Sequence, residues 1–110
     1  QWTPWSTAEK SGDGYIAYFH DNPHCAACAI VERNVFTDPR VAELMSRLNF
    51  VYLDSQDAAN WNSKLPLEWQ IKSFPHLTSV GSDRKIVGNM ACPTEADQMI
   101  LLLEMILGER

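Results

Sequence analysis

The fold class this sequence predicts is α/β: a central mixed sheet of about four strands flanked by helices. Three observations predict it. Apolar strand-like runs alternate with helix-like segments in the first half of the chain, a turn-separated pair of strand-like runs follows, and an amphipathic helix closes the order. With 110 residues, 45% of them hydrophobic, the chain can bury a single core but has no room for two domains of usual size. The expected organisation is an N-terminal arm over residues 1–13 and one domain over residues 14–110.

The arm is polar and carries Trp2 and Trp5, whose indoles are expected to pack it down, and it ends in the turn-prone Ser11-Gly12-Asp13-Gly14. Tyr15 to Phe19 is an apolar run bounded by Gly14 and by His20-Asp21-Asn22-Pro23, which suits a buried strand. From Ala26 to Phe36 no Gly or Pro intervenes, and Cys28, Val31 and Val35 repeat at a helical spacing. Asp38 is placed to cap a second helix, about Pro39 to Leu48, with Pro39 at the first helical position, where its missing N–H costs nothing. That helix is expected to bury Val41, Leu44, Met45 and Leu48.

Phe50 to Leu53 is a second strand, followed by a polar connection over residues 54–64 and a short helix within Leu65 to Ile71. Trp61, Trp69 and the methionines read as packing residues. Phe74 to Val80 and Lys85 to Met90 form a hairpin around Gly81-Ser82-Asp83, with Pro75 confined to a strand start or edge. The last helix begins near Pro93 or Thr94, with Thr94 and Asp97 in a capping-box-like arrangement and a face of Met99, Leu102, Leu103 and Ile106. A strand–helix–strand crossover of this kind makes the first two strands parallel.

Composition excludes several function classes. The net charge of −5 comes without a basic block, which argues against a nucleic acid or an anionic membrane surface as partner. The most hydrophobic stretch, Met99 to Leu107, is short and contains Glu104, so it predicts a buried helix and no membrane insertion of this segment. Glycine-rich phosphate loops, G-x-S-x-G elbows and paired acid clusters are absent, and no cofactor is expected.

The chemistry concentrates in Cys25-Ala26-Ala27-Cys28, between a strand and a helix. Two thiols at this spacing can close into a disulfide and reopen. A thiol attacks only as thiolate, and the start of a helix, with its unpaired N–H groups, favours an anion at Cys25. Cys28, one turn deeper, is suited to resolving a mixed disulfide. Zinc sites use the same spacing but need further ligands, for which His20 and His24 are the nearby candidates; the competing reading is thus a binding module holding a metal through Cys25, Cys28 and one or both histidines. Haem attachment is excluded because Ala29 stands where a histidine is required. Cys92, the third cysteine, reads as a small apolar filler. Cysteine count does not fix the compartment, and Gln1 suits a mature exported product, a domain of a longer protein or a trimmed chain equally.

Over residues 14–108 the chain resembles thioredoxin-fold thiol:disulfide oxidoreductases. The likeness rests on the strand before C-A-A-C, the motif at a helix start, Trp69-Gln70-Ile71-Lys72-Ser73-Phe74-Pro75-His76, similar to the family's segment ending in a cis proline, and Gly88 near the last strand's end. The stretch from Cys25 to Val41 is most similar to the C-terminal thioredoxin-like domain of the bacterial thiol:disulfide interchange protein (DsbD-like) and to small exported relatives. The resemblance implies Cys25 as nucleophile, Cys28 as resolving thiol, and a cis Pro75 facing them, with the Phe74 backbone pairing to an extended substrate. It implies Glu32 as an acid tuning the thiols or relaying a proton to Cys28, against the plainer reading of a solvated residue pairing with Arg33 or another neighbour. His24, if cationic, would favour the Cys25 thiolate, or it is an ordinary loop residue. Implied partners are protein thiol and disulfide substrates and an upstream redox partner, in the periplasm or another exported setting. The chain departs from the family in placing His24 where a Trp is usual, in a loop one residue longer, and in holding Tyr18 or Phe19 where many relatives bury an acid.

Overall fold

The computed structural model describes residues 2–10, 12–21, 25–54 and 74–108. The expected connection over 54–64 beyond Asp54, the helix within 65–71, Trp61, Trp69 and His24 lie outside these residues, as does the side chain of Trp5. Among the described residues the chain forms α1 (Trp5–Lys10), β1 (Tyr15–His20), α2 (Ala26–Ile30) with a π-helical continuation (Val31–Val35), α3 (Pro39–Met45), β2 (Phe50–Asp54), β3 (His76–Val80), β4 (Ile86–Ala91) and α4 (Ala96–Gly108).

The four strands form one mixed sheet in the order β2-β1-β3-β4. β1 and β2 run parallel, with Ile16 opposite Phe50 and Tyr18 opposite Tyr52. β3 is antiparallel to both β1 and β4, pairing Phe19 with His76 and Thr78 with Asn89. The crossover through α2 and α3 explains the parallel pair: a strand that returns in the same direction needs a long connection, whereas the tight turn after Val80 permits only an antiparallel neighbour.

Alternation along β1 divides the core. Ile16 and Tyr18 face one side, packed with Val31, Val35, Val41, Phe50, Leu77, Met99 and Leu103 from the sheet and the helices. Tyr15, Ala17 and Phe19 face the other, with Val51, Leu53, Val80 and Ala8 of α1. Every residue from Tyr15 to Phe19 is buried, because a central strand is covered on both faces. Trp2 stacks on Tyr18 at 5.9 Å and meets Tyr52 edge-on at 5.2 Å, on the first face, while Ala8 is buried on the second. Between them Thr3 N–H donates to the Phe50 carbonyl at 2.6 Å, so the N-terminal residues cross over the β2 edge.

Several boundaries differ from the sequence reading. The helix after the cysteines begins at Ala26 as expected, but its second half widens to π geometry, with the Phe36 N–H bonding the Val31 carbonyl at 3.0 Å. α3 stops at Met45; Leu48 is buried beyond its end, and Leu44 and Met45 are only half-buried. Asp38 caps α3 as predicted, accepting from the Arg40 N–H at 2.9 Å with Pro39 in the first turn. β3 starts at His76, two residues late, since Phe74-Pro75 lead into the strand without joining its ladder. Asp97 receives Arg40 of α3 at 3.2 Å, so its carboxylate serves a helix-to-helix contact. Gly88 lies within β4 opposite Ser79, away from the strand's end. Gly14 is demanded by geometry: its φ is +80°, and a Cβ there would stand 2.5 Å from the Val80 carbonyl oxygen. No helix among the described residues is long and apolar enough to cross a membrane.

Candidate functional site

β1 and β3 are antiparallel, so the end of β1 that leads to Cys25 is also where β3 begins. The Phe19–His76 pair sets the register. One step further places Pro75 beside His20, at the same end of the sheet as the cysteines. The Phe74–Pro75 bond is cis, Pro75 is buried and Phe74 is half-buried. The Pro75 carbonyl accepts from the Cys92 N–H at 3.0 Å, which ties the start of β3 to the segment after β4.

Cys25 and Cys28 are joined in a disulfide, with S–S 2.15 Å and Cα atoms 5.2 Å apart. Cys25 is the N-cap of α2: its backbone is extended and its sulfur accepts from the Cys28 N–H at 3.1 Å. Its partner differs sharply in exposure, Cys25 being half-buried and Cys28 fully buried. The asymmetry follows from position, since Cys25 precedes the first turn whereas Cys28 points with Val31 and Val35 into the core.

Glu32 sits in the π-helical turn and is the hub of a polar cluster. Its Oε2 accepts from the Tyr18 hydroxyl at 2.8 Å and lies 2.5 Å from His20 Nδ1, whose N–H donates to it. Glu32, His20 and Cys28 present ligand-type atoms all within 4.8 Å of one another. The reading in which Glu32 pairs with Arg33 is therefore corrected: adjacent helical residues point apart, and Glu32 turns inward to β1 while Arg33 is exposed. π-turns of this kind occur frequently at functional sites.

The cluster keeps its neighbours protonated. Burial, then the bond to Glu32 and its charge, pushes the Tyr18 hydroxyl far above its ordinary 10.0. Burial and the Glu32 charge likewise push Tyr52 up to about 12. Cys92 is pushed up to about 12, first by burial and then by Glu32, which makes it a neutral, unreactive thiol at physiological pH. The filler reading of Cys92 agrees with its 5% exposure and its place in the core cluster, although it lies closer to the site's electrostatics than its position in the sequence suggests.

Of the six residues the sequence singled out, the structure gathers Cys25, Cys28 and Glu32 at one end of the sheet, with Phe74-Pro75 entering at that end; His24 lies outside the described residues. His20, considered only as a metal ligand, is the partner of Glu32. Tyr18, one of the two residues expected where many thioredoxin-fold proteins bury an acid, donates its hydroxyl to the Glu32 carboxylate from the helical segment. The available signal was the i, i+2 spacing of Tyr18 and His20, which puts both on one strand face.

No protein-family model and no curated protein matches the chain. Solved structures do. DsbH oxidoreductase superposes with TM-score 0.80 at 15% identity, covering 100% of this chain and 85% of that one. A thioredoxin from Thermus thermophilus gives 0.69 at 19% identity, over 97% and 86%. The reduced C-terminal domain of Neisseria meningitidis DsbD gives 0.65 at 16% identity, over 91% and 87%. The chain has the thioredoxin fold that these proteins share.

Proposed function

We propose that this chain is a thiol–disulfide oxidoreductase acting on protein disulfides through Cys25 and Cys28. The observation that carries the reading is the Cys25–Cys28 disulfide at a helix start, with Cys25 half-buried, Cys28 fully buried, and a carboxylate oxygen within 4.8 Å of the Cys28 sulfur. Likeness in fold to DsbH oxidoreductase, DsbD and thioredoxin supports it.

In the reduced protein the Cys25 thiolate, stabilised by the Cys28 N–H, attacks one sulfur of a substrate disulfide. That bond breaks, the departing substrate sulfur takes a proton, and a mixed disulfide joins Cys25 to the substrate. Cys28 then gives its proton to Glu32 and attacks the Cys25 sulfur, releasing the second substrate thiol and closing the intramolecular bridge. Two electrons pass from the protein to the substrate. Run in reverse, the steps oxidise a dithiol. Direction depends on relative potentials, where about 30 mV corresponds to about 1.4 kcal/mol for a two-electron couple.

His20 and Tyr18 position the Glu32 carboxylate. Phe74-Pro75, at the end of the sheet to which β1 leads, offers backbone to an extended substrate segment, while His24, next to the nucleophile in sequence, tunes its thiolate. Residues 14–110 act as one catalytic domain behind the arm, in the periplasm or another exported compartment, reloaded by a redox partner protein. The test is insulin reduction under a supply of dithiol. Cys25→Ser abolishes turnover and Cys28→Ser accumulates the mixed disulfide; a Cys25→Ser protein as active as the parent sinks the reading.

A further inference from the structure

The cluster around Glu32 brings together more than a proton relay needs. Cys28 Sγ, a ring nitrogen of His20 and a carboxylate oxygen of Glu32 lie within 4.8 Å of one another, and Cys25 Sγ is bonded to Cys28 Sγ. Once the disulfide is reduced, one sulfur, one imidazole nitrogen and one carboxylate oxygen form a close group, and the second sulfur, that of Cys25, is released next to the first. A tetrahedral zinc ion bound at about 2.0–2.3 Å to such donors sets them roughly 3.5 Å apart. The three grouped donors therefore need to close in by roughly an ångström, and Cys25, freed from the disulfide, completes the set by turning its sulfur toward them. The donor set is of borderline softness, which suits Zn²⁺ better than Mg²⁺ or Ca²⁺. The side chains of His20 and Glu32 are 18% and 30% exposed, so an ion can enter from their side although Cys28 is buried.

We propose that the reduced protein binds one Zn²⁺ ion through Cys25, Cys28, His20 and Glu32, and that the disulfide excludes it. The balance is simple. Two electrons and two protons convert the disulfide to two thiols; metal binding releases those two protons and shifts the imidazole proton to the ring nitrogen facing away from the ion. A protein disulfide that accepts two electrons from the bound thiolates takes up two protons, re-forms the Cys25–Cys28 bridge and frees the metal. Zinc thereby holds the reduced pair out of exchange until it is removed. The gating rests on the exchange reading above, whereas the site rests on the grouping of His20, Cys28 and Glu32 with Cys25 bonded to Cys28.

The probe is Co²⁺, followed by Zn²⁺ displacement, on phosphine-reduced and on oxidised protein under anaerobic conditions. Reduced protein is expected to bind one equivalent of Co²⁺ with the intense visible bands of a tetrahedral site and a thiolate-to-cobalt charge-transfer band. Zn²⁺ displaces it, and oxidised protein shows neither band. His20→Ala and Glu32→Gln each weaken binding by at least about tenfold, and Cys92→Ala leaves it unchanged. Circular dichroism of the oxidised variants checks folding, and Glu32→Asp, which retains a carboxylate, restores part of the affinity if loss of a ligand is the cause.

The proposal is overturned if reduced protein binds Co²⁺ no tighter than oxidised protein, if both His20→Ala and Glu32→Gln bind like the parent, or if Cys92→Ala abolishes binding. Insulin reduction separates the two readings. Turnover without metal binding overturns the site alone, and metal binding by a chain that turns over no disulfide supports the site while overturning the exchange reading.

Discussion

Two polar clusters sit on opposite faces of the same sheet and share a plan. On one face Glu32 Oε2 receives Tyr18 and His20; on the other Asn89 Oδ1 receives Thr78 at 2.7 Å and lies 2.5 Å from His76 Nε2. Each joins a histidine and a hydroxyl to one acceptor. The acceptors differ in kind: an amide is uncharged, whereas a carboxylate projects a negative field. Accordingly Tyr18, Tyr52 and Cys92 are all pushed upward in part by Glu32. The Asn89 cluster satisfies buried polar groups between β3 and β4, and the Glu32 cluster does the same while adjoining the disulfide. What distinguishes structure from chemistry here is the acceptor and its distance from Cys28.

The sharpest way to break the contrast is Glu32→Gln, which gives the face next to the disulfide an amide hub like its counterpart. Turnover in insulin reduction is expected to fall by about a hundredfold, with acid-quenched reactions showing accumulated mixed disulfide, because resolution by Cys28 loses its proton acceptor. Unchanged kinetics would assign Glu32 a packing role only. Asn89→Ala, on the other face, strands the buried Thr78 hydroxyl and the His76 ring. It should cost about 1–3 kcal/mol in urea unfolding with turnover untouched.

Alkaline unfolding sharpens the comparison further. An unfolded chain releases the Cys92 proton near its ordinary 9.0, while the folded chain holds it to about 12. Tyr18, also raised, behaves likewise from about pH 10 upward. Stability is thus complete below about pH 9 and declines as pH rises, by up to about 1.4 kcal/mol per unit for each group. Cys92→Ala should flatten the first part of that decline in pH-dependent urea midpoints, and Asn89→Ala should leave its slope as it was. The smallest effect is that of Tyr18→Phe. Losing one hydrogen bond to a carboxylate still held by His20 costs about 1 kcal/mol, read as a shift in the urea midpoint.

Much of this architecture was legible in sequence because local signals agreed with one another. The buried run from Tyr15 to Phe19, the Asp38-Pro39 cap and the turn after Val80 each act within a few residues, and the structure keeps all three. The cysteine pair was legible for the same reason, its partners being three residues apart. Less legible were features in which distant segments compete for one residue. Asp97 serves Arg40 of α3, β3 begins late because Pro75 donates no ladder hydrogen bond, and Glu32 turns away from its sequence neighbour Arg33.

By itself the sequence determined the alternation of strands and helices, the crossover that makes β1 and β2 parallel, and the presence of two thiols at a helix start. All of these follow from short-range sterics, periodicity and capping. Only the tertiary structure decided that Glu32, twelve residues beyond His20 and fourteen beyond Tyr18, meets both beside Cys28. It also decided that Cys92 lies within reach of the Glu32 charge. The reason is physical: a carboxylate entering the core must find hydrogen-bond donors there, and which donors it finds depends on how β1 and the helical segment pack rather than on residues adjacent to it in the chain.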